Sequence, residues 1–126
     1  MLTITLDTGA MIALERNEKR MRQLLVDVQH RRVLLALPTA ALVEWWRAEA
    51  RQQRILDTGI EIVPLSMRIA KNAGEAIKVV KATPIDAIVM ATAALRGDFV
   101  FTSDLKDLEA LQTVFPTVRL FRATGR

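Results

Sequence analysis

Fourteen Asp and Glu residues punctuate this chain, and four of them stand apart from the rest. Most, such as Glu15, Glu18 and Glu75, sit beside Lys or Arg in stretches that make solvated helix faces. Asp7, Glu44, Asp86 and Asp104 instead close or interrupt apolar runs. Asp7 follows Leu2-Thr-Ile-Thr-Leu6, Glu44 follows Ala40-Ala-Leu-Val43, Asp86 breaks Ile85 to Ala91, and Asp104 comes just after Phe99-Val-Phe101. An ionisable group among apolar neighbours is costly to bury unless its charge is compensated. Carboxylates that share a cleft also repel one another, so they stay ionised only with cations between them. Oxygen donors of this kind suit hard divalent ions, Mg²⁺ with Mn²⁺ as the substitute. Asp107, three residues past Asp104, can assist. Each acid has a plainer use as well. Asp7 and Asp104 suit helix N-caps, Asp86 suits the acid of a capping box opened by Thr83, and Glu44 can pair with Arg47.

The elements that must position these acids follow from hydrophobic periodicity. Leu2, Ile4 and Leu6 alternate with Thr3 and Thr5 as in a strand, and Asp7-Thr8-Gly9 turns the chain into a helix through Leu14. A second helix is expected over Arg16–Arg32, with Met21, Leu24, Leu25 and Val28 inward and His30 on the surface at its end. Val33 to Leu37 has no helical period and reads as a buried strand ended by Pro38, after which Thr39 can cap a helix running to about Ile55. Gly59 marks a turn before a strand over Glu61–Pro64. Ser66 starts a helix reaching about Lys81. Thr83-Pro84-Ile85-Asp86 is a strong helix start, and Gly97 ends that helix. Phe99–Phe101 forms a strand, a short helix follows through Leu111, and Val118–Phe121 makes a last strand. Strands alternating with helices predict a mostly parallel sheet covered on both faces, with the ends of the first and late strands and the starts of two helices gathering the four acids at one edge. No linker divides residues 1–126, so a single domain is expected.

Composition narrows the chemistry. With no Cys, disulfides, thiolate nucleophiles and Cys-ligated zinc are excluded, and a single His leaves no paired-His metal site. The longest uncharged stretch, Val33 to Val43, is too short to span a bilayer and contains Pro38, and the N-terminus lacks a basic targeting region. A cytoplasmic protein without a membrane segment is the expectation. The net charge of +4 favours anionic partners, and setting the four acids aside leaves +8 on the remainder.

Four ordered stretches carry a family likeness. Asp7-Thr-Gly-Ala-Met-Ile-Ala-Leu14, Glu44 with Trp46-Arg47, Pro84-Ile-Asp86-Ala-Ile-Val-Met-Ala-Thr-Ala93 and Thr102-Ser-Asp104-Leu-Lys-Asp107-Leu108 resemble the motifs of PIN-domain ribonucleases of the VapC toxin type. The likeness runs from about Leu2 to Phe121. It implies a three-layer α/β/α sandwich around a mostly parallel sheet, a Mg²⁺-dependent endoribonuclease acting as the toxin of a toxin–antitoxin pair, a homodimer, and a cognate antitoxin lying over the groove. Asp7, Glu44, Asp86 and Asp104 fall on the family's acidic quartet, as catalytic and metal-holding residues, and Thr8, Thr102, Ser103 and Asp107 fall on supporting positions. A metal held by such carboxylates lowers the pKa of a bound water and offsets charge on the leaving oxygen of a phosphodiester, with no His required.

RNA attraction has its own candidates. On one continuous helix, Arg47, Arg51 and Arg54 share the face of Glu44 and would lead a phosphate backbone toward the acids; the plain alternative is a solvated basic face. Lys71, Lys78 and Lys81 extend that patch. Trp45 and Trp46 point to different helix faces, one for the core and one for a protein contact. The competing functions are a non-catalytic RNA-binding or regulatory domain on the same fold, and a phosphoryl-transfer domain. The second fits poorly, because position 9 is Gly where a phosphatase wants an acid, and Pro64 and Leu65 stand where a receiver wants its acceptor Asp.

Overall fold

A computed structural model describes residues 2–123, so the expected extent of 1–126 runs past the description at both ends. In chain order the elements are β1 (Leu2–Leu6), α1 (Thr8–Glu15), α2 (Lys19–Gln29), β2 (Val33–Pro38), α3 (Thr39–Trp45), α4 (Ala50–Leu56), β3 (Glu61–Val63), α5 (Met67–Val79), α6 (Pro84–Arg96), β4 (Phe99–Thr102), α7 (Leu105–Gln112) and β5 (Leu120–Arg122). The strands form one sheet in the order β3-β2-β1-β4-β5, and every pairing is parallel. Helices flank it on both sides. On one, α6 lies against β1, β2 and β4 with α5 and α7 beside it; α1 lies against β1 and β4 and touches α2, α3 and α4. The result is the α/β/α sandwich that the alternation of elements implies.

The central place of β1 follows from its residues. Ile4 is buried opposite Leu35 and Phe99, and Leu6 is buried opposite Phe101. Each such side chain contributes about 1.5–3 kcal/mol by leaving water. Thr5 is fully buried too, which simple alternation does not anticipate. It is satisfied by Asp98, a buried acid that accepts hydrogen bonds from the hydroxyls of Thr3 and Thr5, the latter at 2.9 Å. Arg96 pairs with Asp98 at 3.1 Å and reaches Glu61 at 2.8 Å, so this network ties β1, β3, β4 and the end of α6 together at the N-terminal edge of the sheet. Asp98, which is not among the acids singled out from sequence, is a structural anchor.

Several boundaries differ from expectation, each for a physical reason. The helix expected over Arg16–Arg32 begins at Lys19, because Asn17 takes a positive φ of 60° and turns the chain between α1 and α2. The helix expected from Thr39 to about Ile55 is two helices. Trp46 is extended and Ala48 sits at φ 61°, so α3 and α4 are separate and differently directed. Buried Gln52 holds the break by accepting from the Arg47 backbone N–H and donating to the Trp45 carbonyl, both at 2.7 Å. Thr39 does not cap α3; Pro38 occupies the cap position with no side-chain bond. The helix after Ser66 stops at Val79, short of Lys81, and the last strand lies at Leu120–Arg122, slightly later than its expected place. His30 is exposed at the end of α2 as expected, and Trp45 is buried while Trp46 is half-exposed. Among the described residues no helix is long and apolar enough to cross a membrane.

Candidate active site

Strand order reverses between β1 and β4, and in open parallel sheets ligands bind beyond the carboxyl ends of the strands at such a point. Asp7 leaves the end of β1 there, and Thr102, Ser103 and Asp104 leave the end of β4. Since α6 begins at the same edge, it presents Asp86 from its first turn. These residues line one cavity of about 120 Å³ together with Thr8, Gly9, Asp107 and Leu108. Three of the four expected acids therefore share a cavity with all four supporting residues.

The fourth acid stands at the rim. Glu44, exposed on α3, accepts a hydrogen bond from the Thr8 hydroxyl at 2.7 Å, and its charge is felt at Asp86. It does not pair with Arg47, whose guanidinium goes instead to Glu15 and, at 3.0 Å, to Glu49. Thr8 is thus the link that holds α3 to the cavity.

Capping and site geometry coincide at the acids. Asp7 is the N-cap of α1, accepting from the Ala10 N–H at 2.8 Å, and Asp104 is the N-cap of α7, accepting from the Lys106 N–H at 3.1 Å. At α6 the cap is Thr83, which accepts from the Asp86 N–H at 3.2 Å. The expected capping use is seen at Asp7 and Asp104, and the same helix N-termini, which favour anions, point at the cavity.

Electrostatics single out Asp7. Only 8% exposed, it has its pKa pushed up from 3.8 to about 6, chiefly by burial and further by the charge of Asp86; the Thr102 hydroxyl and the Ala10 N–H oppose the rise. Half-buried Asp86 is also raised, by burial first and then by Asp107, Glu44 and Asp104. No Lys or Arg lines this cavity.

Among the described residues, no three of these side chains are already drawn together as a metal's ligand set. Their chemistry nonetheless fits a hard divalent cation. The donors are all oxygen, burial and neighbouring carboxylates raise the pKa of Asp7 and Asp86, and a cation is the group that would reverse that rise. A space of 120 Å³ is about four water volumes at ~30 Å³ each, enough for an ion that keeps part of its hydration.

Two further residues shape the site: Gly9, which is not among the site residues expected from sequence, and Thr102, which is. Gly9 lies within α1, and a Cβ there would fall 1.9 Å from the Ser103 Oγ and 2.9 Å from its Cβ. Only glycine lets the loop after β4 come this close to α1. Thr102, fully buried, accepts from the Asp104 N–H at 3.1 Å and so fixes the turn that delivers Asp104. For Gly9 the sequence signal is Asp-Thr-Gly after a strand, which points to a turn and conceals the close approach.

The expected arginine stripe takes another form. With α3 and α4 separated, Arg47, Arg51 and Arg54 do not continue the face of Glu44. Arg47 and Arg51 line a cavity of about 470 Å³ with Ile12, Glu15 and Arg16, and Arg51 donates to the Glu15 carbonyl at 2.5 Å. Arg54, also on α4, is exposed and lines no part of it.

Comparisons with known proteins agree with this fold. A PIN-domain profile matches residues 4–112. Among solved structures, the chain is similar to a toxin–antitoxin complex from Klebsiella pneumoniae, with a TM-score of 0.73 at 21% identity over 98% of this chain and 99% of that one. It is similar also to VapBC2 from Rickettsia felis bound to a promoter DNA fragment, with a TM-score of 0.71 at 15% identity over 96% and 98%. For DNA-bound VapBC from Salmonella typhimurium the values are 0.68 and 18% over 98% and 99%. No curated protein sequence matches the chain.

Proposed function

The chain belongs to the PIN-domain family, and from that premise we propose that it is a Mg²⁺-dependent endoribonuclease, the toxin of a toxin–antitoxin pair. The observation that carries this reading is the convergence of Asp7, Asp86, Asp104 and Asp107 on one cavity at the switch point of the sheet, with Glu44 tethered at its rim. The likeness to complexes described as toxin–antitoxin and VapBC supports the toxin role and an antitoxin partner.

In this mechanism Asp7, Asp86 and Asp104 hold the cation, with Mn²⁺ able to replace Mg²⁺. When bound there, such a cation would lower the pKa of a water and offset charge on the leaving oxygen of a phosphodiester. Thr8 fixes the Glu44 carboxylate at the rim, where it can accept a proton from an attacking water. Thr102 and Ser103 hold the loop that carries Asp104, and Asp107 adds negative charge against the same cavity wall. Arg51 attracts the RNA backbone, beside an Arg47 that is held by Glu15 and Glu49. Val43 and Trp46, exposed on either side of Glu44 in sequence, support a protein contact there, with a second copy or the antitoxin. An RNA-cutting toxin paired with an antitoxin would act in the cytoplasm.

The test is cleavage of a pool of structured and single-stranded RNAs by the antitoxin-free protein with Mg²⁺ or Mn²⁺, against EDTA and Asp7→Asn controls. Cutting that both controls abolish is the expected result. Tight RNA binding with no cutting of any RNA would make the chain a non-catalytic RNA-binding domain and overturn the nuclease reading.

A further inference from the structure

The acidic cavity is the middle of a longer depression. It shares Gly9 and Ser103 with a cavity of about 180 Å³, which in turn shares Ile12 and Arg16 with the 470 Å³ cavity walled by Arg47 and Arg51. On the opposite side it shares Asp86 and Asp107 with a cavity of about 410 Å³ that carries Lys81 and Lys106. Negative charge dominates the middle, and cations stand at both ends.

These cations are not equivalent. Arg47 already serves Glu15 and Glu49, so it shapes the wall more than it offers charge. Arg51 gives one N–H to the Glu15 carbonyl, leaving the rest of its five donors. Arg16, at the end of α1, is exposed and makes no ion pair among the described residues, and Lys81 and Lys106 are exposed likewise. Positive charge on both sides of an acidic centre solves a problem the centre creates, since carboxylates repel the phosphates they must approach.

We propose that this succession of cavities is the path of one RNA strand, with Arg16 and Arg51 holding the phosphates on one side of the scissile bond and Lys81 and Lys106 those on the other. The proposal rests on the nuclease reading and adds the substrate's course to it. A single strand running along these cavities would bring one phosphate to the acids and its neighbours to both cationic ends, in the manner of an electrostatic funnel. Arg16 and Lys106 are the residues this path adds to the arginines expected from sequence.

The experiment is a salt series of fluorescence anisotropy titrations. The probe is a short labelled single-stranded RNA of mixed sequence, with Mg²⁺ present, on an Asp7→Asn background that cannot cut it. Arg16→Ala and the Lys81→Ala/Lys106→Ala double variant should each weaken binding about five- to tenfold near 0.1 M salt. Each should also reduce the slope of log affinity against log salt by about 0.7 per lost phosphate contact. Arg32→Ala removes the same charge just before β2, at the opposite end of the sheet, and should leave both quantities unchanged. The path is overturned if Arg32→Ala matches Arg16→Ala, which indicates general charge attraction, or if the Arg16 and lysine variants bind like the parent. Parallel cleavage assays keep the two ideas apart. A wild type that cuts RNA while the variants bind normally removes the path alone; a wild type that neither cuts nor binds removes the nuclease reading with it.

Discussion

Asp7 holds two duties that conflict at neutral pH. As a cap it is best charged, yet burial and Asp86 favour its proton, and the balance sets its pKa near 6. The unfolded chain releases that proton at about 3.8, so between about pH 4 and 6 the folded state binds more protons than the unfolded one. Stability of the metal-free protein should therefore fall as pH rises through this window, with the full loss of about 3 kcal/mol present above it, at about 1.4 kcal/mol per pKa unit. Asp7→Asn keeps an oxygen for the Ala10 N–H and removes the charge. Denaturant unfolding at pH 7 without divalent ions should show it more stable than wild type by about 3 kcal/mol, while its RNA cleavage is lost. Gly9 makes the opposite trade. Gly9→Ala gains helix propensity but drives Ser103 aside, and displacement of a reacting group by about 1 Å can remove a hundredfold in rate. The expected outcome is a folded protein by circular dichroism whose kcat on RNA drops by about two orders of magnitude. The acids were legible in the sequence because charge amid apolar residues is a local signal. The crowding at Gly9 was not, because it depends on a loop more than ninety residues away in the chain.

At the scale of elements, the break between α3 and α4 separates what the pattern joined. Glu44-Trp-Trp-Arg-Ala-Glu-Ala-Arg-Gln-Gln-Arg54 has no Pro or Gly, and its local propensities favour a continuous helix. Gln52 overrides them by supplying the bonds that the helix would have made, and Glu15 draws in Trp45 and Arg47 from outside the segment. A tertiary contact thus beats local preference, which explains why periodicity misplaced the arginines while locating α5 and α6 closely. Two substitutions test this account. Gln52→Leu leaves the Arg47 N–H and Trp45 carbonyl without partners and should lower unfolding stability by about 2–4 kcal/mol. Ala48→Gly relieves a positive φ and should raise it by about 0.5–1 kcal/mol in the same assay.

For the molecule as a whole, a basic surface surrounds one acidic cavity, and the two need different partners. Divalent binding to the folded state alone should stabilise it by about 2.7 kcal/mol at a hundredfold excess over Kd, a rise in Tm of roughly 10 °C, which Asp7→Asn should abolish. Differential scanning calorimetry with and without Mg²⁺ reads this directly. The fold class could be read from the succession of strands and helices, since that alternation leaves few topologies. Strand order could not, because β1 pairs with β2 and β4 through contacts far apart in the chain, and the residue that fastens them, Asp98, looks like an ordinary loop acid. The central position of β1 also governs when activity can arise. Asp7 precedes β4 and Asp104 by more than ninety residues in the chain. A nascent chain that stops short of residue 99 has neither the far wall of the cavity nor the β4 strand that pairs with β1. The cavity is therefore one of the last features of the fold to be completed, closing only once β4 and the loop after it have docked against β1.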